Sequence, residues 1–180
     1  MRRPLDEKRV RAFLHELALA SDAETRVYLT GGATAVLYGW RPSTVDVDLK
    51  IVPENDAILR AIPRLKEEMQ LNVELASPDD FIPELPGWQE RSPFIEREQR
   101  VSFHHYDPYA QALAKLERSQ PKDLLDVREM LGRGLILPAE LRRLFLVIEP
   151  RLYRFPSIDE KSFRRAVENA LAEAEGKART

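Results

Sequence analysis

Two short stretches constrain this chain more than the rest of it: Leu29-Thr30-Gly31-Gly32-Ala33-Thr34 and, a loop later, Thr44-Val45-Asp46-Val47-Asp48-Leu49. Val27 to Thr30 reads as a short apolar strand running into the glycine pair. Ala33 to Tyr38 favours a short helix, with Gly39 as the residue that ends it. Trp40-Arg41-Pro42-Ser43 is a connecting loop. Residues 44–52 then alternate, with Val45, Val47, Leu49 and Ile51 on one face and Thr44, Asp46, Asp48 and Lys50 on the other. Glycines at a strand-to-helix junction let backbone N–H groups approach an anion closely, and the helix start adds its positive end. Such a turn also serves purely structural ends. Aspartate is depleted in strands, and two on one face stand ~6.6 Å apart along the strand. Their repulsion is resolved either by solvent or by a divalent cation. Together, the two stretches bring phosphate donors and metal carboxylates to one end of one sheet.

Composition sets the frame for that site. The 180 residues suffice for one domain, or for one domain with a helical appendage, and can bury a core without staples. The chain has no cysteine, which excludes disulfides and thiolate metal centres. A net charge of -2 argues against avid, non-specific nucleic-acid binding. The stretch Met1 to Lys8 has no apolar run of the signal-peptide kind, and no segment reaches the ~20 apolar residues that span a bilayer. A cytoplasmic protein with no membrane partner is therefore expected.

The remaining segments predict an α+β block over 1–106 and a helical block over 107–180, which can share one core. Val10, Phe13, Leu14 and Leu17 give an amphipathic helix over about 6–20. Ile58, Ile62, Leu65 and Met69 mark another over about 55–69, with Pro63 as a kink or break. Leu71 to Ala76 alternates as a strand, placing Asn72 and Glu74 on its polar face. Residues 77–93 are rich in proline, yet Phe81, Ile82, Leu85 and Trp88 predict an ordered, packed loop. A hairpin follows over about 94–106. Asp107-Pro108, Pro121 and Pro138 open three helices. Ser157-Ile158-Asp159-Glu160 has capping-box form before a last helix, and Glu175 to Thr180 is expected to fray.

The run from Tyr28 to Ala35, with Arg41-Pro42-Ser43-Thr44-Val45-Asp46-Val47-Asp48-Leu49, resembles the signature of the DNA-polymerase-β-like nucleotidyltransferase superfamily. Its Gly-Gly form looks most like the bacterial and archaeal groups near the AbiEii-type toxin nucleotidyltransferases. The motif covers residues 28–50; Lys115, Arg118, Asp123 and Asp126 look like the lysine and aspartate element of those groups. The resemblance implies an α+β fold with a small mixed sheet flanked by helices and a C-terminal helical part. It implies that Asp46, Asp48 and a later carboxylate, for which Glu74 is the candidate, hold Mg²⁺ in a two-metal site. It also implies that Gly31, Gly32, Thr34, Arg41, Thr44, Lys115 and Asp123 handle the NTP. One departure stands out: many members carry Ser or Thr directly after a glycine, where this chain has Ala33, with Thr34 one place later.

Two functions are compatible with these residues. One is Mg²⁺-dependent transfer of an NMP from an NTP to a hydroxyl of an RNA, a protein or a small molecule. The other is a catalytically weak module that binds a cognate partner protein, as in a toxin–antitoxin pair. A third, weaker reading uses Arg142, Arg143, Arg151, Arg154, Arg164 and Arg165, interleaved with Phe145, Tyr153 and Phe155, to bind RNA; a solvated helical face is the plainer account. His104 and His105, as neighbours on a strand, face opposite ways and cannot share a metal. His15 is read as a helix-face histidine without a partner. Trp40 packs, or stacks on a base.

Overall fold

A computed structural model describes residues 3–177 and divides into two compact units. The first comprises Met1–Ser77 and Ser92–Tyr106, the second Pro78–Arg91 and Asp107–Thr180. The proline-rich loop thus belongs with the helices that follow it in sequence. The architecture is α+β, with a small mixed sheet flanked by helices and a helical C-terminal part, consistent with a nucleotidyltransferase fold.

In the first unit, helix α1 (Glu7–Ala20) is capped by Asp6, whose carboxylate accepts from the Arg9 N–H at 2.9 Å. Strand β1 (Thr25–Thr30) leads into helix α2 (Gly31–Leu37), then strand β2 (Asp46–Val52), helix α3 (Asp56–Glu68) and strand β3 (Asn72–Glu74). Strands β4 (Phe94–Glu98) and β5 (Val101–His105) close the unit as an antiparallel hairpin. The sheet order is β3-β2-β1-β5-β4. β1 is antiparallel to β2 and parallel to β5, and β2 is parallel to β3.

Alternation decides which side is core. Val27 and Leu29, Val47 and Leu49, and Val101 and Phe103 share one buried cluster with Phe13, Leu14 and Leu17 of α1 and Ile58, Ile62 and Leu65 of α3. Tyr28, Thr30, Asp46, Asp48, Asn72, Glu74 and His104 therefore share the opposite face.

The described backbone differs from the sequence reading in several places, each with a local cause. Pro63 neither breaks nor interrupts α3; burial of Ile58, Ile62 and Leu65 outweighs the one hydrogen bond that a proline removes. Val45 and Leu75 are 57% exposed because both lie just outside the strands in which alternation would have buried them. Phe81 is likewise exposed, although Ile82, Leu85 and Trp88 are buried.

The second unit holds helices α4 (Pro108–Arg118), α5 (Pro121–Gly132), α6 (Pro138–Ile148) and α7 (Glu160–Lys177), with a 3-10 segment over Glu149–Arg154. Asp107 caps α4, accepting from the Tyr109 N–H at 2.9 Å. At the start of α7 it is Asp159, not Ser157, that caps, accepting from the Ser162 N–H at 2.7 Å. Glu175 and Gly176, expected to fray, are helical, since α7 continues to Lys177; residues 178–180 lie outside the described residues. The loop 78–91 is fastened within this unit. Arg91 donates twice to Asp107 Oδ2, at 2.6 and 3.0 Å, and once to the Pro86 carbonyl at 2.8 Å. Arg151 donates to the Glu84 carbonyl at 2.7 Å.

Candidate active site

The end of β1 and the start of β2 run side by side, with Thr30 opposite Asp48. That register sets the glycine pair against the second strand. Gly31 has φ +63°, a conformation that glycine adopts without strain. A Cβ built on it would lie 2.6 Å from Asp48 Oδ2, so the Asp48 carboxylate occupies the space that a side chain at 31 would need. A Cβ on Gly32 would lie 2.0 Å from Thr44 Oγ1 and 2.8 Å from Thr44 Cβ. Both glycines are required by close approach, one to a carboxylate and one to a hydroxyl.

Thr44 is itself held from both sides. Its backbone exchanges hydrogen bonds with Leu5, at 2.7 and 2.9 Å. Its hydroxyl donates to the Asp46 carbonyl at 3.1 Å and accepts from the Asp46 N–H at 3.4 Å. This small turn fixes where β2 begins and hence where Asp46 emerges.

β3 supplies the third carboxylate from the next strand. Asp46 is opposite Asn72 and Asp48 is opposite Glu74, so neighbouring side chains stand one inter-strand spacing apart, ~4.8 Å. Asn72 was not singled out from sequence beyond its place on the polar face, yet it ties the group together. Its amide nitrogen donates to Asp46 Oδ1 at 2.8 Å and to Glu74 Oε1 at 3.1 Å. Its i, i+2 spacing to Glu74 is legible in the sequence; its pairing with Asp46 is not. An amide N–H₂ between two carboxylates offsets part of their repulsion, which a cation would do more fully.

Among the described residues, no group of three or more His, Cys, Asp or Glu is placed so that it could hold a metal ion. The donor set nevertheless suits a hard cation. All three groups are carboxylates on one sheet face, Asp48 lies against the Gly31 backbone with no side chain between, and Mg²⁺ commonly takes one or two carboxylates and completes its shell with waters and phosphate oxygens.

Thr34 is buried, its hydroxyl donating to the Leu29 carbonyl at 3.1 Å and standing 3.2 Å from His105 Nδ1. That hydroxyl points into the fold. Arg41 is half-buried, and its N–H donates to the Ala35 carbonyl at 3.3 Å. Trp40 stacks on Tyr38 at 5.4 Å, and Tyr38 stacks in turn on His105 at 4.2 Å. Burial, helped by the charges of Arg11 and His104, pushes His105 down to about 4, so it is neutral at pH 7. His15, read as partnerless, pairs with Glu98.

Lys115 and Asp123 belong to the helical unit, where they form a network. Lys115 Nζ lies 2.6 Å from Asp126 Oδ2 and 3.7 Å from Asp123 Oδ1. Arg118 grips Asp123 with two bonds of 2.6 and 2.8 Å, and both aspartates are buried. Although burial opposes it, Arg118, Lys115 and Lys122 together hold Asp123 below the usual carboxylate range. Two cations and two buried anions balance one another there. In the arginine-rich segment, Arg143 pairs with Glu140, Arg142 with Glu175 and Arg164 with Glu149. These pairs fit a solvated helical surface better than an RNA-binding one.

A small mixed sheet flanked by helices, with a helical C-terminal part, is consistent with a nucleotidyltransferase fold. The chain belongs to the family described as "Nucleotidyltransferase of unknown function (DUF6036)", whose model matches residues 8–167. No curated protein and no solved structure gives a significant match. No helix among the described residues is long and apolar enough to cross a membrane.

Proposed function

We propose that this chain transfers a nucleoside monophosphate from an NTP to a hydroxyl in a Mg²⁺-dependent reaction that releases pyrophosphate. The observation that carries the reading is the contact of Gly31 with Asp48, on a strand that also presents Asp46, in a member of a nucleotidyltransferase family. Asp46 and Asp48 are the residues to hold Mg²⁺, with Glu74 as third carboxylate. The ion, when bound, neutralises phosphate charge and orients the phosphates for in-line displacement. On this reading Gly31 and Gly32 line the triphosphate at the turn, beside Asp48 and Thr44. The acceptor oxygen attacks the α-phosphorus, the bond to the β-phosphate oxygen breaks, and Glu74 takes the acceptor's proton. Within the superfamily, the Gly-Gly motif favours the neighbourhood of the AbiEii-type toxin enzymes.

Incubation with labelled NTPs, Mg²⁺ and cell extract tests the reading. Label on RNA, protein or a small molecule supports it and identifies the acceptor class. In calorimetry, Asp46→Ala combined with Asp48→Ala should abolish Mg²⁺-dependent NTP binding. Unchanged binding by that variant would remove both aspartates from the site.

A second reading is favoured by Thr34. With Ala33 after the glycines and the Thr34 hydroxyl turned to Leu29 and His105, the turn lacks the side-chain hydroxyl that many relatives offer to phosphate. On this reading the fold is kept as a weakly catalytic, partner-binding module of a two-protein system. Absence of label transfer, together with co-purification of one stoichiometric protein, would select it.

A further inference from the structure

The helical unit carries an open groove of about 640 Å³ between α5 and α7. Leu124 and Leu131 of α5 form one wall. Ala166, Ala170 and Ala174 of α7 form the other, short enough for another helix backbone to come close. Its rim on α7 is charged in a particular order: Arg165, Asn169, Glu173, spaced by four residues along one helix edge. Arg165 and Asn169 are exposed. Glu173 is held at the rim by Arg128, whose Nε lies 2.9 Å from Glu173 Oε1. The same Nε donates to Glu173 Oε2 at 3.0 Å, and each carboxylate oxygen carries two lone pairs, so a second donor can share the group.

That order is its own complement under a two-fold rotation centred on Asn169. We infer that the α5–α7 groove is the interface of a homodimer, in which α7 of a second copy lies antiparallel along α7. Arg165 then meets the partner's Glu173, Glu173 meets the partner's Arg165, and the two Asn169 amides face each other, each able to donate and to accept. A parallel arrangement would set arginine against arginine and glutamate against glutamate. An isologous contact uses the same patch twice, which this charge order permits and an arbitrary one would not. Leu124 and Leu131 close over the incoming helix from the side. This inference stands whether or not the chain transfers nucleotides.

Light scattering after size exclusion reads the outcome directly. The wild-type chain should run at twice its 20.8 kDa mass. Arg165→Glu alone and Glu173→Arg alone each create two repulsive pairs and should run as monomers. An equimolar mixture of the two restores both attractive pairs and should recover the dimer. Should Glu173→Arg fail to fold through losing Arg128, Asn169→Arg sets two cations at the axis without touching that pair, and should also give monomers. The chain's lack of cysteine allows a further readout. Asn169→Cys should oxidise to a covalent dimer, whereas Leu125→Cys, exposed on α5 but outside the groove lining, should not. A monomeric wild type, or single charge reversals that stay dimeric, would overturn the inference.

Discussion

Replacing Gly31 by alanine tests the geometry on which the candidate site depends. Two separable effects follow from the structure. The first is backbone strain: φ +63° costs an L-residue about 1 kcal/mol. The second is contact. The new Cβ would lie 2.6 Å from Asp48 Oδ2, about 0.8 Å inside the 3.4 Å at which contacts become ordinary. A carboxylate tip moves more easily than backbone, so this adds about 1 kcal/mol, for a total of ~2 kcal/mol. Its functional effect is larger, because a binding group displaced by more than ~0.5 Å leaves its productive geometry. Urea denaturation of a double-mutant cycle separates the two effects. In an Asp48→Ala background the contact vanishes, and Gly31→Ala should cost only the backbone term, ~1 kcal/mol. Calorimetry with Mn²⁺ as probe should show Gly31→Ala binding about tenfold or more weakly than wild type. Equal costs in both backgrounds would refute the contact; unchanged Mn²⁺ affinity would refute Asp48 as a ligand.

Other predictions rest on side chains around and beyond this contact. Asn72→Ala removes the donor shared by Asp46 and Glu74, and should weaken Mn²⁺ binding about tenfold with little change in far-ultraviolet dichroism; an unchanged isotherm would deny Asn72 a positioning role. His105 resists protonation in the fold down to about 4, whereas the unfolded chain takes up that proton near 6.5. Its stability contribution is complete above pH 6.5 and is lost as pH falls toward 4, by ~3 kcal/mol in all. His105→Gln should flatten that part of the pH–stability curve, and a variant with the wild-type slope would show that other groups carry it. Lys115→Ala leaves Asp126 and Asp123 buried with one cation fewer, and should cost about 3–5 kcal/mol in urea midpoint analysis. A loss below ~1 kcal/mol would mean that water reaches the network.

Much of the frame could be read in advance because it follows from local rules. The glycine turn, the alternation of β2 and the prolines that open α4, α5 and α6 are each set by a few neighbouring residues. What escaped depends on contacts made at a distance. Nothing near Thr34 in sequence says that its hydroxyl lies beside His105, seventy-one residues away. Asn72 gains its part from a strand pairing with Asp46, which no spacing within 71–76 encodes. Asp159 rather than Ser157 caps α7 because both offer suitable oxygens, and only the path of the incoming chain chooses between them. The affiliation of loop 78–91 depended on Arg91 finding Asp107, a bond between two residues that composition alone treats as solvated charges.

The affiliation of that loop has a consequence for synthesis on the ribosome. The chain passes from one unit to the other at Ser77, returns at Ser92 and leaves again at Asp107. β1, which carries the glycine turn, therefore emerges long before β5, its parallel neighbour, which is made only after the whole of the loop. Until then one edge of β1 is unpaired, and Ile82, Leu85 and Trp88 of the loop wait for helices not yet made. A fragment ending at residue 106 would keep both strands but strand those three apolar side chains. The nascent chain thus completes neither unit early, and the sheet behind the glycine turn stays incomplete until β5 has left the exit tunnel.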